Sequence, residues 1–119
     1  MIENFTDLTT WKKAHELVLG IYRCTKKFPD EERFSLTNQM RRSAISITSN
    51  IAEGFGRNTS KDKVQFYAIA KGSLCELQNQ VITARDLGYI SESDFKEFEM
   101  NFTEIGRLIG GMMRSAPSR

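Results

Sequence analysis

The sequence predicts an all-α protein, an antiparallel up-down-up-down four-helix bundle in one domain, residues 1–119. Apolar residues recur at three- and four-residue steps over four stretches, each roughly 20 residues long or slightly longer, which is the spacing of amphipathic helices. The only prolines, Pro29 and Pro117, leave these stretches uninterrupted. Helices of similar length joined by short loops pack as antiparallel neighbours. The predicted helices span residues 8–27, 35–55, 60–87 and 92–114.

The first predicted helix has one largely apolar face. Thr6 or Asp7 is expected to cap its free amide groups. Pro29 disfavours helical geometry at the preceding residue and therefore ends the helix nearby. The residues that form the apolar face are Trp11, Ala14, Val18, Ile21, Tyr22 and Thr25.

The second predicted helix carries an apolar row at steps of 4-4-3-4-4. Gly54 and Gly56 bracket its C-terminal end, where a left-handed residue is common and favours glycine. The row consists of Leu36, Met40, Ala44, Ile47, Ile51 and Phe55.

The third and fourth predicted helices have heptad spacing, the pattern of helices that pack along a continuous seam. Thr59 or Ser60 is expected to cap the third helix, and Gly88 to end it. The segment Ser91–Asp94 resembles a capping box for the fourth helix. The two seams consist of Tyr67, Ala70, Leu74, Leu77, Val81 and Ala84, and of Phe95, Phe98, Phe102, Ile105, Ile109 and Met112.

Composition and motifs argue against several function classes. Cys24 and Cys75 form neither a disulfide framework nor a zinc-binding spacing, and we expect two reduced thiols. His15 is the single histidine, and no catalytic relay, metal site or phosphate-binding loop can be assembled. We therefore expect no catalytic residues, no metal, no cofactor and no enzymatic activity. With neither a leader nor a membrane span expected, the predicted location is the cytoplasm.

The second helix also carries an unusual polar row opposite its apolar row. The row has small hydroxyl side chains in its middle, one cation near its start and one anion near its end, whereas a solvated face is rich in Lys and Glu. Arg42 and Glu53 lie roughly 16 Å apart along the axis and cannot pair with each other. The row comprises Gln39, Arg42, Ser46, Ser49, Asn50 and Glu53.

Three interpretations of the polar row stay open. One is a polar seam inside the bundle or at a subunit contact, for which we select Arg42, Ser46, Ser49, Asn50 and Glu53. The second is a ligand or RNA-phosphate site that uses Arg41, Arg42 and Arg57, and the third is ordinary exposure to solvent. Glu53 lies near a helix C-terminus, where a negative charge is disfavoured, so it needs a cation. Candidates are Arg41 or Arg42 of a neighbouring subunit, or Arg57 folding back past Gly56.

Basic residues concentrate between residues 33 and 63, where six of them accompany only Glu53 and Asp62. Such a strip can attract phosphate, and two of its lysines fall in the first turn of the third helix, where backbone amides also favour anions. The predicted phosphate contacts are Arg33, Arg41, Arg42, Arg57, Lys61 and Lys63.

Several segments closely resemble the four-helix-bundle family named for 23S ribosomal RNA intervening sequences. The resemblance extends from about Phe5 to about Met112. Its most specific parts are Trp11-x-x-Ala14, Phe28-Pro29-x-Glu31-Glu32-Arg33, Gln39-x-Arg41-Arg42, Asn50-Ile51-Ala52-Glu53-Gly54, Gly72-Ser73-Leu74-x-Glu76-Leu77 and Leu87-Gly88-Tyr89-Ile90. The family usually has a proline at the position of Thr48, so this chain departs from the pattern that would bend the second helix.

The resemblance implies a bacterial, non-enzymatic bundle, called a ribosomal protein because some of its genes lie within ribosomal RNA insertions. A similar bundle, the accessory protein of diversity-generating retroelements, forms a ring of five subunits and binds a reverse transcriptase and nucleic acid through basic surfaces. By resemblance we expect a homopentamer here, with the polar row of the second helix near a subunit contact.

Three functions follow as hypotheses. The first is an oligomeric scaffold that binds RNA or a nucleic-acid-processing protein through the basic strip. The second is a module for protein–protein contacts alone, which the net charge of only +2 favours. The third is an enzyme or a binder of small molecules in a central cavity.

Overall fold

The computed structural model describes residues 1–116 and shows an all-α fold. Two short 3₁₀ helices, Phe5–Asp7 and Asp30–Glu32, precede the first and second α-helices and were not predicted. The observed bounds of the α-helices differ from the predicted ones by at most two residues. Within the described residues, the α-helices are α1 (Thr9–Thr25), α2 (Leu36–Phe55), α3 (Ser60–Asp86) and α4 (Glu92–Ser115).

The four α-helices pack around one core in a body of 48 × 25 × 21 Å. α1 packs on α2, α2 on α3, α3 on α4, and α4 on α1, an arrangement compatible with a four-helix bundle. The contact between α2 and α3 is the most extensive of these, and that between α4 and α1 is the least. No helix within residues 1–116 combines the length and the apolar character that crossing a bilayer requires.

The buried core consists mainly of residues from the predicted apolar rows, but in α1 Leu17 takes the place of Tyr22. Leu17 is buried there, although its spacing did not place it in the predicted row. Tyr22 was predicted to be in the core but is exposed, because its ring lies 4.7 Å from the Arg41 guanidinium at the surface. All the predicted core residues of α3 are buried, as are all those of α4 except the half-buried Met112.

The predicted helix caps are correct for two helices and wrong for α1. Thr59 and Ser91 accept backbone N–H groups at the starts of α3 and α4. The N-cap of α1 is Leu8, which provides no side-chain cap. Asp7 instead closes a capping box with Asn4 around the first 3₁₀ helix, and the N–H groups of Glu3 and Asn4 lower the pKa of its carboxyl. The chain entering α1 is therefore fixed one turn earlier than predicted.

The glycines at the end of α2 do not have the predicted left-handed geometry. Gly56 has a φ of −77°, and among the described residues only Gly88, at the end of α3, has a positive φ, +84°. Gly54 is buried against α3, where a Cβ atom would lie 2.5 Å from Cε1 of Tyr67. The absence of a side chain at Gly54 therefore allows α2 and α3 to pack closely, and Gly54 does not form a turn.

A hydrogen-bonded carboxylate ties the loop before α2 to the loop after α3. Glu32 accepts hydrogen bonds from the Ser35 hydroxyl at 2.8 Å and from the Tyr89 hydroxyl at 2.9 Å. These bonds lower the pKa of Glu32, and the same carboxylate raises the pKa of Tyr89. The Tyr89 ring also lies 5.2 Å from the Phe28 ring, so the connection between α1 and α2 meets the connection between α3 and α4 at one end of the molecule.

Candidate nucleic-acid interface

The six predicted phosphate contacts fall into two groups at the two ends of α2. Three precede or begin the helix, and three follow its last turn or begin α3. The two groups lie roughly 20 Å apart along the axis of α2. The first group is Arg33, Arg41 and Arg42, and the second is Arg57, Lys61 and Lys63.

Arg41 is committed to the end of α1. Its Nε donates to the Thr25 hydroxyl at 2.8 Å and its Nη2 to the Tyr22 carbonyl oxygen at 3.4 Å. A cation there is favoured by the negative end of the helix dipole. Two of its five N–H donors therefore serve the joint between α1 and α2, so Arg41 is less available to phosphate than Arg33 or Arg42.

Lys63 is committed to the end of α2. Its side chain is buried, with 7% of its surface exposed, and Nζ donates to the carbonyl oxygens of Phe55 at 2.7 Å and Gly54 at 3.4 Å. These oxygens belong to the last turn of α2, where backbone donors are few, and the Gly54 oxygen also accepts the Arg57 N–H at 3.2 Å. Lys63 therefore leaves the set of phosphate contacts, because its charge is enclosed between two helices.

Arg57 and Lys61 remain accessible. Arg57 pairs with Glu53 at 3.0 Å in an exposed ion pair, and its guanidinium lies 4.4 Å from the centre of the Phe66 ring. An exposed ion pair of this kind is weak and can be exchanged for a phosphate. Lys61 is exposed in the first turn of α3, next to Asp62. These two cations, held beside the N-terminus of α3, form the best remaining anion site of the strip.

Arg33 and Arg42 are also exposed, at the other end of α2. The Arg33 guanidinium lies 5.5 Å from the ring of Phe34, which is itself 86% exposed. Arg42 borders an open groove of about 530 Å³ beside Tyr22 and Ile45. An exposed aromatic ring and two cations are therefore available here for a polyanion.

The structure divides the predicted polar row between two environments. Ser46 and Asn50 are half-buried against α3, where the Ser46 hydroxyl lies 2.7 Å from the Ser73 hydroxyl and the Asn50 amide donates to the Ser46 carbonyl at 2.8 Å. Arg42, Ser49 and Glu53 are exposed. Glu53 pairs with Arg57 of the same chain, and Arg57 is the third of the cations predicted to pair with it.

One member of the α2–α3 polar contact was missed. Ser43 is buried and donates to the Glu76 carboxylate at 3.0 Å, one turn before the bond between Ser46 and Ser73. Ser43 lies three residues before Ser46, so the helical period could have placed both side chains on one side. What the sequence could not show is that α3 covers this side.

A second groove, not predicted, runs between α1 and α4 and has a volume of about 560 Å³. Basic residues predominate on its α1 side and acidic residues on its α4 side, and Lys13 and Glu104 face each other at 3.5 Å. Burial and the nearby Asp94 raise the pKa of the Cys24 thiol in this groove. Its mixed charge offers no net attraction to phosphate, so the nucleic-acid candidates stay around α2.

Comparisons with known proteins agree with the resemblance. The family model described as "23S rRNA-intervening sequence protein" matches residues 6–111. The fold is similar to the crystal structure of a protein with unknown function from the S23 ribosomal protein family of Bacteroides thetaiotaomicron VPI-5482, with a TM-score of 0.82 and 22% sequence identity. That similarity covers 89% of this chain and 96% of the other. The comparison with curated proteins finds no match.

Proposed function

Since the chain belongs to the 23S rRNA-intervening sequence protein family, we propose that it is a non-catalytic, homo-oligomeric scaffold that binds RNA or an RNA-containing complex in the cytoplasm. The observation that carries the proposal is the pair of accessible cations, Arg57 and Lys61, beside the N-terminus of α3. Arg33 and Arg42 extend the cationic surface to the far end of α2. The family name associates these proteins with ribosomal RNA and supports RNA as the polyanion.

The arrangement of cations and aromatic rings suits RNA. A guanidinium stacked on a ring, as Arg57 is on Phe66, presents a flat cationic surface on which an unstacked base can lie. The RNA phosphates then neutralise Lys61 and, at the other end of α2, Arg33 and Arg42. With two of the six predicted contacts committed to helix ends, the affinity rests on about four cations and therefore depends strongly on salt.

We expect the double variant Arg57→Ala/Lys61→Ala to bind a structured RNA about tenfold more weakly and to flatten the slope of log affinity against log salt by about 1.5. Fluorescence anisotropy across a salt series measures both quantities. The matched control is Lys96→Ala/Arg107→Ala, which removes the same charge from exposed positions of α4 and should change affinity by less than about twofold. Equal losses in both variants would show that only net charge attracts RNA.

The proposal also includes the order and direction of the four helices. An antiparallel up-down-up-down order of the helices is supported by two contacts at opposite ends: Ser60 at the start of α3 donates to the carbonyl of Ala116 after α4, and Phe28 after α1 contacts Tyr89 after α3. In such a bundle, α2 presents Arg42, Ser49 and Glu53 outward, where a neighbouring subunit can pack on small side chains.

By resemblance to the five-membered ring described above, we propose a homopentamer with this outward row of α2 near the subunit contact. Light scattering on the purified, nuclease-treated protein should give a mass that is a whole multiple of five chains of 13.6 kDa. A monomer, or an assembly of two, three or four chains, would contradict the ring.

A module for protein–protein contacts alone is the second candidate. It is favoured by the net charge of +2 and by the use of Arg41 and Lys63 inside the fold. Absence of RNA binding even at low salt would select it over the scaffold.

A further inference from the structure

α3 carries two heptad seams on opposite faces. The inner seam, which includes Tyr67, Leu74 and Val81, is buried in the bundle. The outer seam has steps of 4-3-4-3-4-3-4, and all its members are exposed. A row with this spacing lets one helix pack along another where its side chains are apolar or small, which here are Ala68, Gly72, Cys75 and Ile82. The outer seam consists of Lys61, Gln65, Ala68, Gly72, Cys75, Asn79, Ile82 and Asp86.

The middle of the outer seam is built for close approach. Gly72 has an ordinary helical φ, and a Cβ atom placed there would meet no atom of the chain within 4 Å. Glycine weakens a helix interior relative to alanine, and nothing inside this chain requires it at this position. Ala68 and Cys75 flank it with small side chains. The Glu76 carboxylate is drawn away towards Ser43 on α2, which leaves the centre of the face clear.

Two exposed isoleucines lie on or beside the outer seam. Ile82 belongs to the outer seam and is 36% exposed, and Ile69, at its edge, is 52% exposed. Such side chains can close over the edges of a helix–helix contact.

The outer seam is complementary to itself when reversed. Superposing it on an antiparallel copy, with the two-fold axis between Ser73 and Leu74, places Lys61 opposite Asp86 at both ends, where Asp86 can exchange its exposed pair with Arg85 of its own chain for Lys61 of the copy. The same register pairs the remaining positions without bringing like charges together: Gln65 with Ile82, Ala68 with Asn79, and Gly72 with Cys75. A parallel copy would instead place Lys61 on Lys61 and Asp86 on Asp86, and like charges facing each other are unfavourable.

We propose that this face of α3 pairs with the same face of a second copy of the chain in an antiparallel two-fold contact about 38 Å long. Such a contact is isologous, so each copy uses the same residues. It goes beyond the proposed RNA scaffold and does not depend on it, but both use Lys61, so RNA and the second copy compete for that residue. In a ring of five chains it joins two rings, and without a ring it gives a dimer.

Cross-linking through the native Cys75 tests the contact. In the proposed register the two Cys75 residues lie on the same side of the helix pair and are offset by three residues, about 4.5 Å along the axis. A short bis-maleimide should therefore join two chains in the wild type and in Cys24→Ser, whose remaining cysteine is Cys75. Cys75→Ser should abolish the cross-link, and loss of the cross-link in Cys24→Ser instead would overturn the proposal.

A charge exchange tests the register. In the Cys24→Ser background, Lys61→Glu and Asp86→Lys each create two repulsive pairs and should lower the cross-linking yield about fivefold. The double variant Lys61→Glu/Asp86→Lys exchanges the charges and should restore it. Failure of this restoration would overturn the antiparallel pairing. Gly72→Leu, which has space in the isolated chain, should fold normally and lose the cross-link; an unchanged cross-link would also overturn it.

RNA binding and the α3 contact can be tested and rejected independently. Asp86→Lys leaves Arg57 and Lys61 in place, so it should retain RNA affinity while losing the cross-link. A protein that cross-links through Cys75 but binds no RNA supports the contact and rejects the RNA scaffold.

Discussion

Replacing Gly54 with alanine will lower the free energy of unfolding by about 1–3 kcal/mol, although alanine is the better helix former. The added Cβ atom would lie 2.5 Å from Cε1 and 2.8 Å from Cδ1 of Tyr67, and 3.2 Å from Cβ of Phe66. Tyr67 is buried, so its ring can move only if its neighbours in the core move too. α2 and α3 must separate to make room, and theirs is the most extensive helix contact in the molecule.

The matched control is Gly106→Ala in α4. There the added Cβ atom would meet Cδ2 of Leu74 at 3.6 Å, an ordinary van der Waals contact. Its expected effect is a gain of up to about 1 kcal/mol from helix propensity. Chemical denaturation of both variants measures the difference, and equal effects at the two glycines would refute the close packing at Gly54.

Lys63→Met will lower the free energy of unfolding by about 2–3 kcal/mol, because two hydrogen bonds from a charged donor are lost and the Phe55 carbonyl oxygen loses its donor at 2.7 Å. Methionine keeps much of the length and apolar stem of lysine but cannot donate to the carbonyls of Gly54 and Phe55. The same measurement on Lys61→Met, an exposed neighbour in the same helical turn, should show a change below about 0.5 kcal/mol.

The two lysine substitutions should also differ in their effect on RNA binding. Lys61→Met is expected to weaken RNA binding while leaving stability unchanged. Lys63→Met is expected to do the reverse, when binding is measured at a temperature where the variant is folded. Were Lys63→Met to reduce RNA affinity without loss of stability, its assignment to the helix end would be wrong.

The helices could be predicted because their signals are local. Three- and four-residue spacing marks each buried row, Pro29 and Gly88 end helices, and Thr59 and Ser91 begin them. Local signals also explain the errors. Thr6 and Asp7 are good cap residues, but a 3₁₀ helix separates them from α1.

The partners of charged residues could not be predicted, because they depend on which helix lies alongside. Arg41 reaches a carbonyl group 19 residues earlier in the chain, and Lys63 reaches one eight residues earlier. In the sequence, both look like the exposed Arg42 and Lys61. The core face of α3 shows the opposite case, since its apolar heptad row marked it in the sequence and all six of its residues are buried.

The order of packing around the bundle has a consequence for how the chain folds. Helices that follow each other in the sequence make the larger contacts, and among the four α-helices of residues 1–116 only α1 and α4 pack together from distant parts of the chain. Contacts between neighbouring helices require only short loops to close, so they cost little conformational entropy, and proteins rich in such contacts fold quickly. A nascent chain can therefore form the hairpin of α2 and α3 as soon as both are free, with the last helix docking onto a surface that already exists.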